Sequence, residues 1–381
     1  MTPEQRLAKE LLELYAQMET GLLVNIANKL SMGKEMFIDT VDGTRKVNEW
    51  QLERLKQIKG LTDENAEIIA QMSGKTQGYV NEIFDRALIT GTKIDEELLK
   101  KGIKAGVLNE IDNISESPAV YRALISAKQN MLTTLSDTNR SILANSRQEY
   151  VKLVNTVTTK VTSGTQTIGA ATKQAVKELA NNGIKGFTAK NGTEWSSEAY
   201  IKMTTQANIK NMINEVQEIR IKEAGGDYIE INAYSGARPL CSEDQGKVFS
   251  LSGNTTPIKD INDNVIYPRA WEDSTYGKPN GILGINCGHQ RFMFVPELSA
   301  YNRDPIPRKE NDIDYEEKQK QRFFERNIRN TKREIAMLKE IGIEDISKER
   351  QELLKYKVGL TEHLNATGRT RIQANEWIGT N

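Results

Sequence analysis

The sequence predicts a mainly α-helical protein with one small α+β core. A long helical region precedes that core and a helical hairpin follows it. Three observations carry this reading. Apolar residues recur every three or four positions through most of the 381 residues, which is the helical period. Aromatic residues make up only 6% of the chain and charged residues 27%, a balance that suits exposed helices better than one large core. Both cysteines, one of the two histidines and a dense share of Gly and Pro gather between Tyr234 and Leu298, so fixed side-chain geometry is expected there. The expected parts are an elongated helical region at 1–185, the mixed core at 186–302, and a basic hairpin with its tail at 303–381.

Residues 3–31 read as an amphipathic helix, with Pro3 and Glu4 in its first turn and Leu7, Leu11, Tyr15, Met18, Leu22, Ile26 and Leu30 on one stripe. Gly33 ends it. Asp42-Gly43 marks a turn, and a second helix is expected over 48–59. Thr62 to Asn65 reads as the cap of a third helix that stops near Ser73-Gly74, with further helices at 76–90 and 95–105. From Ser117-Pro118 to about Asn182 the pattern is helical but polar. Its thin apolar stripe includes Leu143, Tyr150, Leu153, Val154, Val157, Val161, Ile168, Ala171, Val176 and Leu179, as in a bundle or in a helix touched on one side only.

Residues 183–195 form a break rich in Gly, Asn and Thr, and Ser196-Ser197-Glu198 caps a helix that Gly225-Gly226 ends. Alternation over 227–234 predicts a strand, with shorter strands near 247–251, 265–267 and 290–295. Arg303 to Arg308 reads as a linker. Helices over 314–341, with Phe324, Ile328, Ile335 and Leu338 as apolar face, and over 345–364 make the hairpin. The tail from Thr367 reads as loose, with Trp377 as its anchor, and His363 as solvated.

Composition narrows the function classes. The 52 basic and 52 acidic residues cancel, so no global field draws the chain to nucleic acid or membrane. No window approaches the roughly 20 apolar residues of a bilayer span, and the first residues lack the charged and apolar regions of a secretory signal. Two cysteines with 45 residues between them give no disulfide framework, in keeping with production in a reducing cytoplasm.

The sharpest chemical signal is Cys241 with Cys287-Gly288-His289. In an extended segment residues i and i+2 share a face, so Cys287 and His289 can converge, and thiolate and imidazole are zinc ligands. Asp244, or Glu243, is the candidate fourth ligand. A small packed core in which the histidine is only hydrogen-bonded explains the same residues. A cysteine nucleophile lacks a separate orienting partner. Gly277 to Gly281 with Gly284 fit turns rather than a phosphate cradle, since no helix follows. Arg238 and Asp244 are expected to pair across two loops, with contact to a ligand as the less favoured reading. Lys318, Lys320, Arg322, Arg326, Arg329, Lys332 and Arg333 form a basic row with Glu325 as its internal acid, either facing phosphates or a protein partner, or pairing with the acidic stretch 312–317.

Taken together, Ser235-Gly236-Ala237-Arg238-Pro239, Asp244-Gln245-Gly246-Lys247-Val248-Phe249, Tyr276-Gly277-Lys278 and Gly284-Ile285-Asn286-Cys287-Gly288-His289 resemble the minor capsid proteins of tailed phages, similar to the head-morphogenesis protein F group of phage Mu. Tyr315 to Arg322 and Glu325 to Arg329 resemble that family's C-terminal portion. The resemblance implies a low-copy virion protein, assembled in host cytoplasm and placed in the head interior or at the portal vertex. Its partners would be the portal protein, the major capsid or scaffolding protein, and genomic double-stranded DNA, and its role head assembly or DNA ejection. It implies no enzyme and no assigned catalytic residue. Arg238, Gln245, Gly246 and Asn286 would be structural parts of the core motif, and zinc is left open. The rival readings are an enzyme on the 234–298 core, such as an ADP-ribosyltransferase-like fold with Arg238 at an NAD site, for which paired glutamates are not evident, and a DNA-binding protein working through 318–333.

Overall fold

The computed structural model describes residues 6–31, 43–188, 192–301 and 306–378, and its elements are mainly helical with a small amount of sheet. In chain order these are α1 (Lys9–Ser31), α2 (Gly43–Lys56), α3 (Ile58–Lys104), α4 (Pro118–Thr162), α5 (Ile168–Asn182), β1 (Lys185–Thr188), β2 (Glu194–Ser196), α6 (Ser197–Glu223) and β3 (Tyr228–Ile231). After them come β4 (Val248–Ser250), β5 (Ile258–Lys259), β6 (Val265–Ile266), β7 (Arg269–Ala270), β8 (Arg291–Phe294), α7 (Arg308–Glu340) and α8 (Ser347–Thr367). By contacts the chain divides into two compact units, neither of them continuous in sequence. One holds 1–8, 78–132 and 203–320, the other 9–77, 133–202 and 321–381. Helices α3, α4, α6 and α7 contribute to both.

In the first unit, the sheet runs β7–β4–β3–β8, with β3 antiparallel to β4 and β8 and β4 parallel to β7. Period-two alternation gives both faces a covering. Ile229, Ile231, Phe249, Met293 and Val295 pack on one side with Leu99 of α3, Ile221 of α6 and Ala224 just past the end of α6. Val248 and Phe294 pack on the other with Ile266. The edge strand β8 would leave backbone donors bare. Asp95 of α3 accepts from the Met293 N–H at 2.8 Å, and Gln217 of α6 donates both to Asp95 (2.6 Å) and to the Arg291 carbonyl (3.0 Å).

The second unit is helical, with a two-stranded hairpin of β1 and β2. Leu11, Tyr15, Met18, Leu22, Ile26 and Leu30 of α1 are all buried, the stripe that the periodicity predicts. In α4 the buried stripe runs through Ile142 and Ser146 rather than Leu143, and on to Tyr150, Leu153, Val154 and Val157. Some of the polar crowding is internal. Asn25 donates to buried Asn65 (2.8 Å), Asn65 to the Ser146 hydroxyl (3.0 Å), and Asn139 to Ser73 (2.8 Å), so the amides find partners between helices instead of water. Ile328, Leu360 and Leu364, with Phe324, Leu353 and Tyr356 around them, close the hairpin of α7 and α8.

Several expectations are corrected. The helices expected at 62–74, 76–90 and 95–105 are one 47-residue helix, α3. Thr62 is not a cap: its hydroxyl donates back to the Ile58 carbonyl at 2.7 Å, the mid-helix use of the same residue. Gly74 and Gly78 lie inside α3, where each costs only about 1 kcal/mol against alanine. Helix α2 starts at Gly43 rather than Asn48, and the 183–195 break carries the β1–β2 hairpin. Pro3, Gly33, Asp42 and the first half of the 303–308 linker lie outside the described residues, and α7 already begins at Arg308. The tail is held: Arg371 makes two 2.7 Å bonds to buried Glu376, and Ile378, not Trp377, is the buried apolar residue. His363 is buried beside the Phe324 ring rather than solvated.

Candidate metal centre

The chain leaves β3, makes a single helical turn at Pro239–Ser242, and returns to β4. The fixed φ of Pro239 suits the first position of that turn, and the turn buries Cys241. Residues 275–287 follow β7 as consecutive tight turns, with the Lys278 N–H on the Thr275 carbonyl, that of Gly281 on Lys278 and that of Cys287 on Gly284. Two non-glycine residues here take positive φ, Leu283 at 56° and Asn286 at 55°, and the second sets the direction in which Cys287 enters. Gly281 permits a close approach, since a Cβ there would sit 1.9 Å from the Thr275 carbonyl oxygen. A Cβ on Gly288 would meet the Tyr234 hydroxyl at 2.5 Å, and the Tyr234 ring stacks on His289 at 4.3 Å.

These turns bring Cys241, Cys287 and His289 together, all buried, with their ligand atoms within 4.8 Å of one another. Cys241 Sγ lies 3.7 Å from Cys287 Sγ, which lies 3.3 Å from His289 Nδ1. The other ring nitrogen fixes the tautomer. Gln245 Oε1 already accepts the Tyr234 N–H (3.2 Å), so His289 Nε2, 3.0 Å away, must be the donor in that bond. The Nδ1 lone pair therefore faces the sulfurs. Cys287 Sγ accepts from the N–H groups of Leu283 (3.2 Å) and His289 (3.4 Å). The hydrogen bond from Cys241, with His289 and Lys210 nearby, holds the Cys287 thiol well below its ordinary range, and the same sharing pushes Cys241 up. Burial raises the Tyr234 hydroxyl, with the neighbouring sulfurs adding to the effect.

Asp244 is not part of the convergent group. Its Oδ2 accepts the Thr275 N–H (2.7 Å) and hydroxyl (2.5 Å), and Oδ1 faces Arg269 at 3.5 Å. The expected Arg238–Asp244 pair is replaced by that Arg269 contact, and Arg238 instead reaches Cys241 Sγ (3.6 Å) and the Gly281 carbonyl (3.4 Å). Glu243 is exposed. Of the core-motif residues, Gln245 orients the histidine, Gly246 at φ 70° returns the chain to β3 through its N–H on the Ile231 carbonyl, and Asn286 is exposed. Sequence reasoning named Cys241, Cys287 and His289 but missed Tyr234 as the stacking partner. Only its place at the end of the β3 pattern hinted at it.

The basic row of α7 divides. Arg333 is buried and bonded to Glu198, Arg329 donates to the Asn375 carbonyl (3.0 Å), and Lys332 to the Glu376 carbonyl (2.8 Å). These three serve the fold instead of forming an open face, because α7 turns them toward acids and carbonyls elsewhere in the chain. Lys318 lies over the Tyr234 ring at 5.1 Å, while Lys320, Arg322 and Arg326 are exposed.

Comparisons with known proteins agree with one another. The family model described as phage minor capsid protein 2 matches residues 2–365. A structural protein of Lactococcus phage LL-H is 25% identical over 324 residues, covering 81% of this chain and 84% of that protein. A structural protein of Lactococcus phage mv4 is 33% identical over 79 residues, 21% of this chain and 63% of that one. No solved structure matches.

Proposed function

We propose that this chain, which belongs to the phage minor capsid protein 2 family, is a low-copy structural component of the virion head that sits at the portal vertex and contacts packaged DNA. It would act in head assembly or in DNA ejection. The observation that carries the reading is the extent of the family match, which takes in the long helices as well as the Cys/His core. Both phage relatives are named structural proteins, so a virion role is their common ground.

Element geometry favours such a role. At about 1.5 Å per residue, α3 alone is roughly 70 Å long. Along its length only a narrow stripe is buried (Leu61, Asn65, Ile69, Thr76, Val80 and onward), which leaves the rest of its surface for portal, major capsid or scaffolding partners. Among the described residues no helix is long and apolar enough to cross a membrane. The test is biochemical: the protein is expected in purified virions at low copy and in pull-downs of the portal from procapsid lysates. Its absence from purified virions would sink the reading.

A further inference from the structure

We propose that Cys241, Cys287 and His289 bind one structural zinc ion, with solvent as the fourth ligand. The inference is independent of the virion role. Two sulfurs each about 2.3 Å from a tetrahedral ion lie about 3.8 Å apart, and a sulfur and an imidazole nitrogen about 3.6 Å apart. Two of the three separations here are 3.7 and 3.3 Å, and the third, from Cys241 Sγ to the ring nitrogen, is within 4.8 Å, so seating an ion asks the first two to open by a few tenths of an ångström and the third to close by no more than about 1.2 Å.

The orientation of the donors is set in advance. Gln245 holds the His289 proton on Nε2 and leaves Nδ1 as the available lone pair, the outer-shell arrangement that metal-bound histidines use. The N–H donors of Leu283 and His289 point at Cys287 Sγ, as suits an acceptor thiolate, and the Arg238 guanidinium lies against Cys241 Sγ. Tyr234 covers the ring. Soft sulfur with imidazole selects zinc over the oxygen-seeking calcium and magnesium.

Three protein ligands plus solvent is the pattern of many catalytic zinc sites. Burial argues for a structural role here, since Cys241, Cys287 and His289 are only 1%, 8% and 0% exposed, which leaves a substrate no route to the ion. The ligands come from two segments 46 residues apart, and an ion would tie the 239–242 turn to the strained 283–287 loop. Such a staple suits a region built from short strands and turns.

The experiment uses the full-length chain purified from zinc-supplemented medium. The expected result is close to one zinc per chain by plasma mass spectrometry. With cobalt in place of zinc, intense visible bands of a tetrahedral ion and near-ultraviolet thiolate charge transfer are expected. Cys287→Ser should lose both. Gln245→Ala keeps all three ligands and should bind zinc about 10- to 100-fold more weakly in competition with a chromophoric chelator. Wild-type protein with both thiols reduced that shows no cobalt bands, and no more zinc than Cys287→Ser, would overturn the proposal. Because the cobalt spectrum is read on the wild type, a variant that fails to fold does not blunt the test. An unchanged affinity in Gln245→Ala would overturn the assigned orientation of the ring.

Discussion

The Cys241–Cys287–His289 cluster of one unit and the Glu19–Glu198–Arg333 cluster of the other both bury polar groups, but they compensate them differently. The first gathers soft donors whose hydrogen bonds leave lone pairs directed at a common point. The second is an ionic network whose charges already face one another, with the buried Arg333 Nε–H as its one group left without a hydrogen-bond partner among the described residues. Glu19 is fully buried and accepts the N–H groups of Ile184 (3.3 Å) and Glu198 (3.2 Å), while Arg333 lies between Glu19 (3.7 Å) and Glu198. Burial raises the Glu19 carboxyl even with Arg333 beside it. Burial also opposes ionisation of Glu198, but Arg329 and Arg333 together bring it below the ordinary range. The lesson is that a convergent set of lone pairs calls for a ligand, whereas charges already paired with one another only hold helices together.

The largest effect expected from breaking this contrast is on the ionic side. Arg333→Met removes the cation and leaves Glu19 buried beside Glu198, a situation that costs about 3–5 kcal/mol. Urea unfolding should show that loss, and the double variant Glu19→Gln/Arg333→Met should lose less than the two single changes added together. A loss under about 1 kcal/mol for Arg333→Met would mean that water, not Arg333, solvates Glu19.

Next in size is a pH effect in the unit that carries the Cys/His cluster. Burial pushes the Asp95 carboxyl up to about 6, against the lowering effect of its bonds from Met293 and Gln217. An acid with a raised folded-state pKa holds its proton longer when folded. Its contribution is therefore most favourable below pH about 4 and is lost as pH rises to about 6. At about 1.4 kcal/mol per pKa unit, the change is roughly 3 kcal/mol. Asp95→Asn should flatten that slope in melting temperatures measured between the two pH limits, and an identical slope in the variant would assign it to other groups.

The parts legible in the sequence are those with a local cause. The α1 stripe has a strict period, and Ser196 does cap α6, its hydroxyl accepting the Ala199 N–H at 3.3 Å. The β3 and β8 segments also stand out by alternation. Cys241, Cys287 and His289 are visible because few residue types have their chemistry. What stays hidden depends on distant partners. Thr62 looks the same as a cap or as a back-bonded helix interior, and α3 runs through its glycines because packing along the helix outweighs their propensity. Asp244 cannot be assigned to Arg269 rather than Arg238 without the turns that deliver Thr275 to it. Arg333 reads as a surface cation until Glu19, far earlier in the chain, is placed against it.

The smallest expected effect on stability is the most informative about partners. Arg322 and Arg326 are one turn apart on α7 and exposed, unlike Arg333 in the same row. Surface changes of this kind usually move stability by no more than about 0.5 kcal/mol, so Arg322→Gln/Arg326→Gln should fold like the parent. If the exposed part of the row touches phosphates, the two substitutions remove two contacts. The slope of log affinity for duplex DNA against log salt should then become shallower by about 1.8. An unchanged slope, in a variant that still melts like the parent, would take Arg322 and Arg326 out of any DNA contact and leave them for a protein partner. The contrast within one helix then becomes functional: the inward cations belong to the ionic network, and the outward ones are left for a partner.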